Sequence, residues 1–361
     1  MRVAVGLILP ELSHTAWVAW SGAVLGIVFG AVVQRTGFCL TRGLRQWWLE
    51  GDGRKARAFA LAAAVAVLGT QALVAMEWVD LRSALYLQGA FSWLVLPLGG
   101  ALFGYGMVVA NGCGSRALVL LGSGNLRSFV VLVCLGISAY VALTGVLAPL
   151  RIWLVEWTVV MPALRAPHLP GVLEAWGATR WIAQWVVVAV IAGGLIFFAV
   201  GSPAFRASPR DWIGGLAVGA MIPAGWWITG VLGADDFDPV TVASLTFVAP
   251  IGDTIQYAMF ATGMDLGFGV AVVVGVLLGA AAAAALSGTF RLEGFPTPRR
   301  MLRSMAGGAL MGIGGALALG CSVGQGLTGL STLALPSFLA AGGILLGALA
   351  AIKGPLRLSN G

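Results

Sequence analysis

Long stretches without one charged side chain set the pattern of this chain. Runs free of Asp, Glu, Lys and Arg cover 12–34, 58–76, 83–115, 128–150, 181–205, 212–234, 266–290 and 304–352. A helix needs roughly 20 predominantly apolar residues to cross the hydrocarbon of a bilayer, so every run but the last predicts one membrane span. The last is too long for one crossing and is broken by the Gly-rich stretch Gly320 to Gly329, so it predicts two spans around a short re-entrant segment. The expected fold is an all-α integral membrane bundle of about nine transmembrane helices. The stretches 239–252, 254–264 and 38–49 are too short to cross and suit half-helices or interfacial pieces.

Charge placement tests that count independently. The segments 35–57, 116–127, 206–211 and 291–303, with the C-terminal tail, hold 16 of the 21 basic residues and 4 of the 14 acidic ones. Basic residues mark the cytoplasmic side, so the N-terminus is expected outside and the C-terminus inside. Arg35, Arg42, Arg45, Arg54, Lys55 and Arg57 form the heaviest inner cluster, and Asp235, Asp236, Asp238, Asp253 and Asp265 make the opposite loop acidic. That acidic loop would repel an approaching dianion, and the sequence offers no reason for it. The opening MRVAVGLILPELSH is too short for a signal-peptide core with its cleavage site and is expected to be retained.

The chain also repeats itself. Residues 99–113, GGALFGYGMVVANGC, align without a gap on 307–321, GGALMGIGGALALGC, and Gly22 and Gly26 echo Gly215 and Gly219 more weakly. Within one transport domain over 1–361, a first repeat at 12–150 and a second at 212–352 would flank a linking span at 181–205. Four spans on each side of a single linking span make the repeats inverted. In transporters of that kind, substrate sites lie near the midplane at the repeat interface and use interrupted helices.

Composition removes the soluble alternatives. Apolar residues make up 59% of the chain, charged residues only 10%, and mean hydropathy is +0.95, where soluble domains carry about 25% charged residues. The net charge of +7 therefore reflects membrane topology and not nucleic-acid binding. The 53 glycines suit close helix packing in lipid. Four cysteines without Cys-x-x-Cys spacing, and few histidines, predict free thiols and neither metal nor cofactor.

The candidate chemistry lies where the two repeats end, at Asn111-Gly112-Cys113-Gly114-Ser115-Arg116 and at Gly320-Cys321-Ser322-Val323-Gly324-Gln325-Gly326. Each ending is expected to turn back inside the membrane, where irregular backbone must line a cavity or pack in protein, and to start a half-helix whose free N–H groups favour anions. Inverted symmetry brings Cys113 and Cys321 in from opposite sides to meet near the middle. Their polarizable sulfur suits a sulfur-rich anion better than chloride or phosphate. Cys39, in Thr36-Gly37-Phe38-Cys39, falls at the inner end of the first span and could hold an anion leaving the midplane. The plainer readings are small buried hydrophobes for the cysteines, half-helix caps for Asn111, Ser115, Ser322 and Gln325, and an interfacial snorkelling role for Arg116. Cys134, in the uninterrupted run Val131-Leu132-Val133-Cys134-Leu135, keeps the plain reading. Asp253 reads as a structural cap, with proton relay as the alternative.

At these motifs the sequence resembles the YeeE/YedE family of membrane proteins, the sulfur transport family. The resemblance implies an hourglass-shaped monomer of the bacterial inner membrane that takes up thiosulfate past three cysteines, which map onto Cys39, Cys113 and Cys321. It also implies a cytoplasmic partner, a small sulfur-carrier protein of the TusA type, and it leaves room for other sulfur or selenium compounds. Two further classes compete: a membrane sulfurtransferase-like enzyme relaying sulfane sulfur through persulfides, and a structural subunit of a larger assembly. Against the enzyme, the motifs lack the His or Lys partner that a covalent catalyst needs. Against an ATP-driven pump, no Gly-x-x-x-x-Gly-Lys-Ser/Thr loop is present.

Overall fold

A computed structural model describes residues 13–87, 89–160, 168–235, 240–295 and 297–354. Residues 1–12, most of the stretch expected to be retained, Asp236 and Asp238 of the acidic loop, and the last seven residues lie outside the described residues. Among the described residues, fifteen α-helices carry the architecture: α1 (His14–Thr36), α2 (Leu40–Glu50), α3 (Arg54–Ala75), α4 (Val95–Val109), α5 (Gly114–Gly122), α6 (Leu126–Leu143), α7 (Ala148–Thr158), α8 (Leu169–Ala175), α9 (Arg180–Val200), α10 (Pro203–Arg206), α11 (Pro209–Trp227), α12 (Val248–Phe260), α13 (Phe268–Leu286), α14 (Pro298–Leu317) and α15 (Leu335–Ile352). The described strands, β1 (Phe91–Ser92) and β2 (Val159–Val160), pair antiparallel in a short clasp between two loops.

Local signals explain the helix ends. Ser13 accepts a hydrogen bond from the Ala16 N–H to open α1, and Gly37 closes it with φ 67°. Thr297 caps α14 by accepting from Arg300 N–H, with Pro298 in the first turn, where a missing N–H costs nothing. Gly324–Gly329 forms a π-helical turn inside the Gly-rich break.

Eight helical stretches among the described residues are long and apolar enough to cross a membrane. They fall where the charge-free runs predict, and the protein is an all-α integral membrane protein. The 20-residue α14 is more polar because Arg299, Arg300 and Arg303 stand in its first turns, yet it packs along both α4 and α6. Two boundaries differ from the sequence reading: one helix, α12, runs from the short stretch 239–252 into 254–264, which the sequence sets apart as separate pieces, and the run 83–115 is not helical throughout. Its first part makes a 3-10 turn at Leu85–Leu87 and the β1 strand, and the span begins only at Val95.

The helices pack in matched pairs: α1 lies along α13, α3 along α11, α4 along α15 and α6 along α14, while α4 and α14 cross each other. Glycines make these approaches possible. Gly100 and Gly104 of α4 abut the backbone of α15, and their aligned counterparts Gly308 and Gly312 of α14 abut the backbone of α6. Lipid tails provide no apolar drive between helices, so this backbone-to-backbone contact supplies the dispersion energy that associates them.

A methyl group on Gly104 would overlap the Ile344 carbonyl, which belongs to the helix backbone and cannot rotate away. Gly104→Ala is therefore expected to destabilise the bundle by about 1–3 kcal/mol, the usual cost of overpacking. Gly193→Ala, where a new Cβ meets nothing within 4 Å, should leave stability unchanged. Thermal unfolding of the two detergent-solubilised variants checks this, and equal midpoints would contradict the packing described.

Candidate functional site

Three helical starts converge in the interior, and each carries a cysteine. Cys39 stands at the N-cap of α2 with extended backbone, and Cys113 does the same for α5. Cys321 directly precedes the segment leading into the π-helical turn. All three are buried free thiols. The chain reaches the two repeat endings through matched conformations: Asn111 (φ 61°) and Leu319 (φ 56°), which align in the repeat, both adopt the left-handed region that non-glycine residues seldom enter.

The three sulfurs gather in one region of the interior. The Cys39 and Cys113 side chains lie against each other. Cys113 Sγ is 3.3 Å from Ser115 Oγ and faces Ser322 on the opposite re-entrant segment. Cys321, next to Ser322 in the chain, lies in the same region. Backbone donors surround the sulfurs: the Gly324 N–H donates to Cys321 Sγ at 3.3 Å, and the N–H groups of Val323 and Phe247 face the same atom. Arg42 and Arg116 N–H groups face Cys39 and Cys113 in the same three-residue relation, without closing a capping hydrogen bond.

The remaining sequence candidates divide. Gly112 and Gly114 are buried beside Cys113, and a side chain on Gly114 would press on Ile251 and Leu135. Gly320, at φ 158°, makes the sharp turn before Cys321. Gln325 donates from Nε2 to the Ala318 carbonyl at 2.6 Å, which ties the turn to the end of α14. Arg116 is half-buried, with Nη1 fully enclosed and without a hydrogen bond among the described residues. Asn111 is exposed and contributes its backbone turn, so it stands apart from the sulfurs. Cys134 sits on α6 against Gly308, away from the other three. Asp253 is not the helix cap expected from the sequence, since it stands in the middle of α12, where it accepts a hydrogen bond from Tyr140 at the contact between α6 and α12.

Several residues at the site carry no motif that sequence reasoning could find. Phe247 precedes α12 and packs on Phe29, with ring centroids 5.3 Å apart. Tyr86, from the 3-10 turn, stacks edge-on to Trp226, and its hydroxyl lies near Thr246 and the Cys321 sulfur. Burial, first, and the neighbouring sulfur push the Tyr86 phenol up, so it stays a neutral hydroxyl. Thr41, two residues past Cys39, is buried in the first turn of α2.

Polar atoms at the site wait for partners. Thr41 Oγ1, Ser322 Oγ and Gln325 Oε1 are buried without a hydrogen bond among the described residues. A buried hydroxyl or amide without a partner costs about 1–3 kcal/mol, so this lining favours a guest that can bond to it. Soft sulfur, hydroxyls and inward-facing N–H groups together match an anion with both oxygen and sulfur surfaces.

Comparison with known proteins agrees with that chemistry. The model of a family described as sulphur transport matches residues 35–350. The thiosulfate transporter TsuA of Escherichia coli is 26% identical over 337 residues, covering 85% of this chain and 86% of that one. The thiosulfate transporter TsuA of Spirochaeta thermophila is 28% identical over 333 residues, covering 91% of this chain and 96% of its own. A probable transporter, YedE of Salmonella typhimurium, is 32% identical over 90 residues, or 25% of this chain and 21% of that one.

Proposed function

Because the chain belongs to the sulphur transport family, we propose that it imports thiosulfate, or a closely related inorganic sulfur anion, along a path marked by Cys39, Cys113 and Cys321. The observation that carries the proposal is the gathering of three buried free thiols, two at helix starts and one before the π-helical turn, with Cys113 beside Cys39 and Ser322. On this reading 12–150 and 212–352 are inverted repeats about the linking span 181–205, which the exchanged glycine contacts of α4 and α14 support.

The anion enters past Tyr86 and meets Cys321, where the N–H groups of Val323, Gly324 and Phe247 offset its charge. It then passes Ser322 to Cys113 and Ser115, and leaves by Cys39 and Thr41. At each station a thiol offers a weak donor and a polarizable surface, and backbone dipoles at the helix starts supply positive potential without a buried arginine charge. Since the three thiols are buried, the arrangement is closed, and passage requires the re-entrant segments to part. Alternating access by relative movement of two repeats is the usual way such a site opens.

The proposed setting is the bacterial inner membrane, with the N-terminus outside, the C-terminus inside and a TusA-type carrier as the acceptor on the inner face. One structural fact supports the orientation: residues of the four basic segments, Arg42, Arg116, Arg210 and Arg291, line a single cavity, so those segments share a side. An added C-terminal thiol, in a chain whose native cysteines are replaced, is expected to resist a membrane-impermeant reagent in intact cells. Labelling without lysis would contradict the orientation. The function itself is tested by radiolabelled thiosulfate uptake in a strain lacking its own importers, where accumulation well above the empty-vector level is expected. Uptake at the vector level, with the protein inserted in the membrane, would contradict it.

A further inference from the structure

The first turns of α2 and α5, which follow Cys39 and Cys113, contribute Arg42 and Arg116 to a cavity of about 270 Å³. Taking about 30 Å³ per water, it has room for a small oxyanion with part of its hydration shell. Four guanidinium groups line it, from Arg42, Arg116, Arg210 and Arg291, against the single carboxylate of Glu293. Arg42 and Arg116 follow Cys39 and Cys113 by three residues, one turn along the same helices.

The charges in this cavity are unbalanced. None of the four arginines forms an ion pair among the described residues, while Glu293 is already engaged by Asn125 Nδ2 at 2.9 Å and by Arg127 at 3.8 Å. Asp211, the acid next to Arg210, is taken up by Lys55 at 3.4 Å and by Ser208 at 2.8 Å. Arg116 and Asn125, which line the cavity, each also hold an enclosed polar atom, Nη1 and Oδ1, without a hydrogen bond among the described residues. The walls are fixed: the 291–293 segment pairs through its backbone with 123–125, with Arg291 N–H donating to the Ser123 carbonyl at 3.1 Å and Glu293 N–H to that of Gly124 at 3.1 Å.

We propose that this basic cavity is a holding site for divalent oxyanions on the inner side of the path, which reads charge and shape and not sulfur. Guanidinium groups present planar, paired donors that match oxyanions, and a concave wall of one sign concentrates counter-ions. The proposal rests on the transport reading for its place after the cysteines. Thiosulfate arriving through the path and sulfate already in the cytoplasm share the chemistry that the cavity recognises, so the two should compete there.

Equilibrium binding of radiolabelled thiosulfate and sulfate to the purified full chain, carrying Cys113→Ala and Cys321→Ala, tests this. Binding of both anions is expected, with unlabelled sulfate displacing thiosulfate and with affinity falling at least tenfold when Arg210→Gln and Arg291→Gln are added. Both arginines are exposed, so an unchanged thermal midpoint verifies that the fold survives. Absence of binding, indifference to the arginine substitutions, or failure of sulfate to compete would each overturn the proposal. The transport reading fails separately, if uptake is unaffected by the two cysteine substitutions while the cavity still binds.

Discussion

Replacing Cys113 by Ala should abolish thiosulfate uptake or reduce it severely, and Cys321→Ala should do the same, with normal expression and insertion in both cases. Alanine keeps the small volume and the helix starts, so what is lost is the sulfur that meets the anion. Contacts to a charged ligand are worth about 1.5–3 kcal/mol each, or roughly ten- to hundredfold in affinity. Cys113 has the more central position, since its side chain touches Cys39, Ser115 and Ser322. Serine separates hydrogen bonding from soft-sulfur contact: Cys113→Ser and Cys321→Ser should remain impaired, and full recovery at both would mean that a hydroxyl suffices. Cys134→Ala is the matched control and should transport like the wild type, because Cys134 packs on Gly308 away from the path. Harmless alanines at both 113 and 321 would remove the site assignment altogether.

Gly324→Val should be comparably damaging without touching any sulfur. A Cβ on Gly324 would come to 2.5 Å from Thr246 Oγ1 and 3.2 Å from Thr246 Cβ, with the Tyr86 hydroxyl 3.5 Å away. Thr246 is short and adjoins Phe247, whose N–H faces Cys321, so it has no flexible end to move aside. The re-entrant turn must therefore shift, and the Gly324 N–H, which donates to Cys321 Sγ, moves with it. Overpacking of this kind costs about 1–3 kcal/mol, and the expected result is at least a tenfold loss of uptake at near-normal expression. Gly342→Val, where a new Cβ meets nothing within 4 Å, should leave uptake intact. Wild-type transport by Gly324→Val would show that the tight enclosure of Cys321 does not govern passage.

The sequence was most informative where lipid constrains it. Charged residues cannot cheaply enter hydrocarbon, so the charge-free runs found the spans, and Gly-Cys breaks at aligned positions found two of the three interior helix starts. Legibility failed where no charge marks a boundary. Nothing charged follows Arg82 until Arg116, so the run 83–115 hid the 3-10 turn that brings Tyr86 toward Cys321. The contact between Cys39 and Cys113 is tertiary, joining residues far apart in sequence, and no local pattern records it. Arg210 and Arg291 read as ordinary inside-facing charges until the pairing of 291–293 with 123–125 sets them in one cavity with Arg42 and Arg116. In α14 the Gly positions predicted packing correctly, although the arginines of its first turns lowered its apolar character.

The central claim is that the anion crosses intact through this protein alone. The most direct measurement uses purified protein in liposomes and two thiosulfate preparations, one radiolabelled at the outer sulfane sulfur and one at the central sulfur. The account predicts that both labels accumulate inside at equal rates and that both are lost together in Cys113→Ala. Entry of the sulfane label alone, with sulfite carrying the other label left outside, would contradict it.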